Sequence, residues 1–208
     1  MIRVFRPIPV ESLKLLVFDL DGTLADTAQD LCNSVNAALE HLGRARLNDE
    51  SIAGFVGNGA PLLMRRALAF AHNIPLELVS EEELDAAYAF FIRHYREHNL
   101  DYTLAYPGTA EALAALRGEF NGKNRAFAVL TNKPVRPARA ICEGLGISSY
   151  FLHIYGGDSF PAKKPDPMGL FALMKETGAK PEERASAAST SARSRGNKAI
   201  EARGTLTR

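Results

Sequence analysis

Cysteine is scarce in this 208-residue chain, and neither sign of charge is in excess. The two cysteines, Cys32 and Cys142, are far apart and show no C-x-x-C spacing, which argues against a disulfide framework or a zinc ribbon. They are expected as reduced residues of helices or core. With 25 Lys plus Arg against 24 Asp plus Glu, nothing global draws the chain to nucleic acid or to an anionic membrane surface. No run approaches the roughly 18 apolar residues of a membrane span. The opening MIRVFRPIPVESLK also lacks the continuous apolar segment of a signal peptide, so a cytoplasmic protein is expected. There is no internal repeat, and no aspartate follows Asp166. What is present suffices for a globular core, since 46% of the residues are hydrophobic.

The segment KLLVF, residues 14–18, reads as a fully buried strand, being short, apolar, rich in branched residues and closed by turn formers. After it the period changes. Leu31, Val35, Leu39 and Leu42 recur at helical spacing from Thr27 to a stop at Gly43. Pro61 opens a second helix carrying Leu62, Leu63, Leu68 and Phe70, and Ser80 with Glu83 forms a capping box for a third that runs to about His98. Residues 27–104 are therefore predicted to be all-helical. From Tyr106-Pro107-Gly108 helix and strand alternate again: TAEALAALRG as helix, RAFAVLT as strand, PVRPARAICEGLG as helix and YFLHIYGG as strand. Such alternation implies a parallel sheet with right-handed crossovers, a Rossmann-like α/β core interrupted by a helical insertion after its first strand. The stretch from Ala185 on is rich in Ala, Ser, Thr and Arg, with no apolar run for another buried strand, and is expected as disorder or a surface extension. The domains read as 1–26 with 105–185 for the core, 27–104 for the helical cap and 186–208 for an atypical tail.

The first strand ends in Asp19-Leu20-Asp21-Gly22. Two residues apart on extended backbone, the two carboxylates project to one side, at the strand end where α/β folds place ligands. Anions held this close repel unless a cation lies between them, and a hard ion such as Mg²⁺ takes carboxylate and carbonyl oxygens in this setting. One acid can then attack phosphorus while its neighbour moves the proton to the leaving group and later activates water.

The string VFDLDGTLAD, residues 17–26, resembles the first motif of the haloacid dehalogenase superfamily of phosphohydrolases, and the helical insertion resembles that family's cap domain. The resemblance implies Asp19 as nucleophile forming an aspartyl phosphate, Asp21 as general acid and base, and Mg²⁺ held by Asp19 and the Asp21 main-chain carbonyl. Thr131-Asn132 in AVLTNKP resembles the second motif, whose hydroxyl and neighbouring amide hold phosphoryl oxygens. KKPDP, residues 163–167, resembles the third, and the K-P-x-P pattern selects Lys164 as the phosphate-neutralising lysine over Lys163. YPGTAEALAAL, LTNKP and GGDSFPAKKPDP together are similar to the phosphoglycolate phosphatase branch over about residues 13–185. That branch implies a small phosphorylated metabolite, 2-phosphoglycolate above others, as substrate of a monomer or homodimer. Specificity would then lie in GFVGNGAPLLMRRAL, where Gly57, Asn58 and Gly59 precede a helix whose free amides could bind a carboxylate and Arg66 could reach the same anion. Asp21 argues against the dehalogenases themselves, which lack this second acid.

One expected feature is missing. The family carries a fourth motif, G-D-x-x-x-D after another apolar strand, which supplies a further metal carboxylate, and here it should begin near residue 186. The tail has no such string. Asp158 precedes Lys164 and reads as a loop residue near the site, and Glu182, Glu183 and Glu201 follow no buried strand. The expectation is an altered end, from a frameshift or similar change, that leaves the core short of about two strands, with weak Mg²⁺ binding and marginal stability. Two other readings stay open beside the phosphatase: a phosphosugar mutase of the same fold and a catalytically impaired, phosphate-binding remnant. His94 and His98, four apart among charged neighbours with no third ligand, read as a solvated helix face, and Arg136 and Arg139 as surface charge.

Overall fold

The computed structural model describes residues 13–117 and 125–188 and the backbone of 201–202. The chain divides into two compact units, one running to Asp26 and resuming at Ala105, the other comprising Thr27–Leu104.

The first unit is built on a five-stranded sheet. Its strand β1, Leu15–Phe18, is buried on both faces. The chain passes between the units through two-residue strands, β2 (Ala25–Asp26) and β3 (Leu104–Ala105). After helix α5, Thr109–Arg117, come β4 (Ala126–Leu130), α6 (Val135–Gly144), β5 (His153–Tyr155), α7 (Met168–Thr177), β6 (Arg184–Ala188) and β7 (Glu201–Ala202). The sheet order is β5-β4-β1-β6-β7. The first four run parallel, and β7 pairs antiparallel with β6 through Ala187 and Ala188. Alternate residues serve opposite faces, as the period of two requires. Leu15, Val17, Ala128 and Leu130 pack with Leu173 and Ala179 on one side. Phe18 meets Phe127 and Phe151 edge-on, with ring centroids 5.7 and 6.0 Å apart. Each fully buried Leu or Phe contributes about 1.5–3 kcal/mol.

The predicted strand over 150–157 is shorter than expected. Ser148–Tyr150 forms a 3-10 turn, and only His153–Tyr155 joins the ladder. Gly118, expected to close the helix at 109, lies outside the described residues.

The expectation of no strand beyond Ala185 is corrected. Arg184–Ala188 pairs in parallel with β1, Leu15 facing Arg184 and Phe18 facing Ala187. The register begins one residue earlier, where Lys14 N–H donates to Glu183 O at 2.7 Å and Lys14 Nζ pairs with the Glu183 carboxylate at 3.2 Å. A parallel ladder is made by backbone groups, so small residues extend it once the register is set. The sheet therefore continues into the tail. Residues 189–200 and 203–208 of that tail lie outside the described residues.

The second unit is all-helical: α1 (Ala28–His41), α2 (Asp49–Phe55), α3 (Ala60–His72) and α4 (Glu81–His98). Leu31, Val35, Ala38 and Leu39 form the buried stripe of α1, which packs on α4. There Phe91 and Tyr95 are stacked at 5.6 Å between centroids. Asn48 caps α2, accepting from Ser51 N–H at 2.8 Å, and Ser80 caps α4, accepting from Glu83 N–H at 3.5 Å. Phe70, expected on the apolar face of α3, is 55% exposed. His98 lies on the solvated side, its side chain 44% exposed and 2.8 Å from Asp101 Oδ2, whereas His94, stacked on it at 4.4 Å, turns inward to Ser34 Oγ at 3.0 Å.

Candidate active site

Asp19 is the first residue past β1, and its N–H donates to Ala187 O on the neighbouring strand at 2.9 Å. The turn that follows is wound around one carbonyl, Leu20 O, which accepts from the N–H groups of Thr23, Leu24 and Ala25 at 3.1, 3.0 and 3.2 Å. Gly22, at φ 76°, takes the left-handed conformation this winding needs. Leu20 is fully buried, and the acids on either side of it, both half-buried, are where the cations meet.

Two lysines face the two acids. Lys164 Nζ is 2.9 Å from Asp19 Oδ2, and Lys133 Nζ is 2.9 Å from Asp21 Oδ1. Lys163 is exposed. Thr131 follows β4 directly and is 2% exposed; its Oγ1 accepts from Lys133 N–H at 3.2 Å. Asn132 Nδ2 donates to Lys164 O at 3.0 Å, tying the end of β4 to the loop that carries Lys164. Asp19, Asp21, Thr131, Asn132 and Lys164 thus form one cluster in the α/β unit. Lys133 belongs to that cluster but not to the set the sequence points to. No local signal in the sequence marks it, since its partner Asp21 lies 112 residues away.

Asp158 serves the loop beside this cluster. Its Oδ1 accepts from Val135 N–H, the first residue of α6, at 2.7 Å. Cys142 on α6 is buried, and burial pushes its thiol up to about 12, with the charge of Asp21 adding to the rise. It is a thiol rather than a nucleophile at neutral pH. Arg136 and Arg139 are exposed.

The remaining predicted residues meet in the helical unit. Gly57, Asn58 and Gly59 lead into α3, and Arg66, two turns along it, donates from Nη1 to Asn58 Oδ1 at 3.0 Å and to Phe55 O at 2.9 Å. Loop and guanidinium form a single hydrogen-bonded feature with a helix N-terminus beside it.

The donor set at the end of β1 consists of hard oxygens. Among the described residues no three His, Cys, Asp or Glu side chains cluster to cage a metal. Mg²⁺ is ordinarily held by one or two carboxylates, with waters and substrate phosphate completing its shell. The residues present fit that open mode of binding. Among the described residues no helix is long and apolar enough to cross a membrane.

The chain is similar to known proteins over most of its length. The model of the haloacid dehalogenase-like hydrolase family matches residues 16–185. A phosphoglycolate phosphatase of Photobacterium profundum is 40% identical over 168 residues, 80% of this chain and 70% of that protein. One from Pseudomonas syringae pv. tomato is 41% identical over 165 residues, 79% of this chain but 58% of its own length, so the chain spans less than two thirds of that relative. The crystal structure of a predicted phosphoglycolate phosphatase from Haemophilus somnus superposes with a TM-score of 0.75 at 31% identity, covering 83% of this chain and 75% of that one. With a family match over most of its length and an acid pair at the end of its first strand, this chain belongs to the haloacid dehalogenase-like hydrolases.

Proposed function

We propose that the chain hydrolyses a small phosphomonoester, 2-phosphoglycolate before others, to glycolate and inorganic phosphate through an aspartyl phosphate. The observation that carries this reading is the pairing at the end of β1, where Asp19 and Asp21 each have a lysine ammonium at 2.9 Å. A carboxylate oxygen of Asp19 attacks phosphorus as the bond from phosphorus to the ester oxygen breaks, and Asp21 gives that oxygen its proton. Water then attacks the phosphorus of the acyl phosphate and gives a proton to Asp21, which frees Asp19 and phosphate. Lys164 offsets the negative charge that nucleophile and phosphoryl group bring together. The Thr131 hydroxyl and the Asn132 main-chain N–H are assigned to the phosphoryl oxygens. The Asp19 carboxylate and the Asp21 main-chain carbonyl would hold Mg²⁺, whose charge, when bound, further offsets that of the phosphoryl oxygens. In the helical unit, Gly57, Asn58, Gly59 and Arg66 are assigned to the carboxylate of the substrate, on the strength of the guanidinium that Phe55 O and Asn58 Oδ1 fix beside the start of α3.

The test is release of phosphate from 2-phosphoglycolate and from p-nitrophenyl phosphate, with and without Mg²⁺. Asp19→Asn is expected to lower kcat by at least about 10³-fold on both, and acid-quenched wild-type protein is expected to carry phosphorus at Asp19. Arg66→Ala is expected to raise KM about 10-fold for 2-phosphoglycolate and to leave that for p-nitrophenyl phosphate near its wild-type value. Undiminished turnover in Asp19→Asn would sink the nucleophile assignment, and equal KM changes on both esters would sink that of the carboxylate site.

A further inference from the structure

Lys133 is 6% exposed as a residue and 3% exposed in its side chain, which makes it a buried lysine in a site whose recognised cation, Lys164, is far more open at 29%. A buried ammonium is tolerated where it is paired, and the carboxylate it meets belongs to Asp21. The loop around it is held from several directions. Lys133 N–H donates to Thr131 Oγ1 and Lys133 O accepts from Gly157 N–H at 2.8 Å, while Asp158 takes the N–H of Val135 two residues on. Gly156 and Gly157 lie directly against this turn. A Cβ on Gly156 would stand 2.3 Å from Val135 N and 2.6 Å from Lys133 O, and one on Gly157 would stand 2.5 Å from Asn132 O. The Gly156-Gly157-Asp158 segment thus acts as a backbone clamp on Asn132–Val135, and that clamp fixes where the Lys133 side chain starts.

From this we infer that Lys133 is a positioning residue. Its ammonium holds one oxygen of the Asp21 carboxylate at 2.9 Å and so orients the acid that protonates the leaving group, while Lys164 attends the nucleophile. The inference rests on the phosphatase reading above and divides the charge of the site between two tasks.

The division has a kinetic signature. The leaving group of p-nitrophenyl phosphate departs as a stable phenolate and needs little proton transfer, whereas the alkoxide of 2-phosphoglycolate needs a proton as it leaves. Lys133→Met is therefore expected to lower kcat on the order of 10²-fold for 2-phosphoglycolate and less than about 5-fold for p-nitrophenyl phosphate, with KM for both within about 3-fold of wild type. Equal losses on both esters, or a raised KM with kcat preserved, would overturn the positioning role. A second measurement needs no turnover. In the wild-type chain treated with an amine-acylating reagent, Lys133 is expected to react at least about 10-fold more slowly than exposed Lys163 and Lys175, and Asp21→Asn is expected to speed its reaction. Labelling of Lys133 at the rate of Lys163, or a rate unmoved by Asp21→Asn, would overturn the pairing. If wild-type chain turns over neither ester, the phosphatase proposal falls, and the labelling alone decides whether Lys133 holds Asp21.

Discussion

Asp30 shows how much one side chain can organise. It is 1% exposed, and its carboxylate accepts from Tyr102 N–H at 3.0 Å, Thr103 N–H at 2.8 Å and Thr103 Oγ1 at 2.7 Å, fastening the last residues of the helical unit to its first helix. Hydrogen bonds to an ionised group contribute about 1.5–3 kcal/mol each, and a buried donor left without its acceptor adds a desolvation penalty. Asp30→Asn turns part of the acceptor into a donor facing donors. It is expected to destabilise the helical unit by about 2–4 kcal/mol, read as a lower urea midpoint with an unchanged slope. An unshifted midpoint would deny Asp30 this role. At this scale the sequence was uneven as a guide. Asp19 and Asp21 stand out because two acids closing an apolar strand are physically conspicuous. Lys133 was concealed because its partner lies 112 residues away, and no local pattern links the two.

Among the elements, α4 concentrates the titratable groups. His94 is held below the ordinary histidine value of 6.5, chiefly by burial and then by the charge of His98, against the opposing pull of Glu97 and Asp101. A histidine depressed in the folded state binds its proton more readily when unfolded, so its contribution to stability is present above pH 6.5 and is lost as pH falls below that value. Glu83, near the start of the same helix, is pushed up by burial but drawn down further by hydrogen bonds from His72 and Arg44, so it lies below 4.5. Its contribution holds above pH 4.5 and is lost in stronger acid. The urea midpoint of the helical unit is therefore expected to fall as pH drops from about 7.5 to about 5.5, and His94→Gln is expected to flatten that fall. A midpoint constant across this range, or a slope indifferent to His94→Gln, would refute it. The long helices α1 and α3 were legible from their recurring apolar residues, and α4 from the Ser80 and Glu83 signal at its start. Helix α2 was not, since its seven residues bury only Ile52 and leave no period to detect.

At the scale of the whole molecule, the sheet joins residues that the composition of the chain sets apart. The family match ends at residue 185, whereas β6 runs to Ala188. An Arg-Ala-Ser-Ala-Ala strand carries no large apolar side chain, so hydropathy could not reveal it; its evidence lies in the register that Lys14 and Glu183 set. Interior strands do not tolerate a missing donor. Ala187→Pro, in a strand flanked by β1 and β7, is expected to lower stability by about 3 kcal/mol or more and to depress turnover of both esters together, measured by urea denaturation and phosphate release. Wild-type stability in Ala187→Pro would show that β6 is dispensable.

The bond from Asp19 N–H to Ala187 O gives that strand a further importance. The residue assigned to attack phosphorus takes its backbone bearing from a stretch that supplies no reactive side chain of its own, so the working end of the molecule is trued against a plain rail of alanine and serine. Damage there would misalign the chemistry while leaving every reacting group in place. An inactive variant altered in this stretch would then be a fault of alignment, repaired by rebuilding backbone rather than by restoring any functional group.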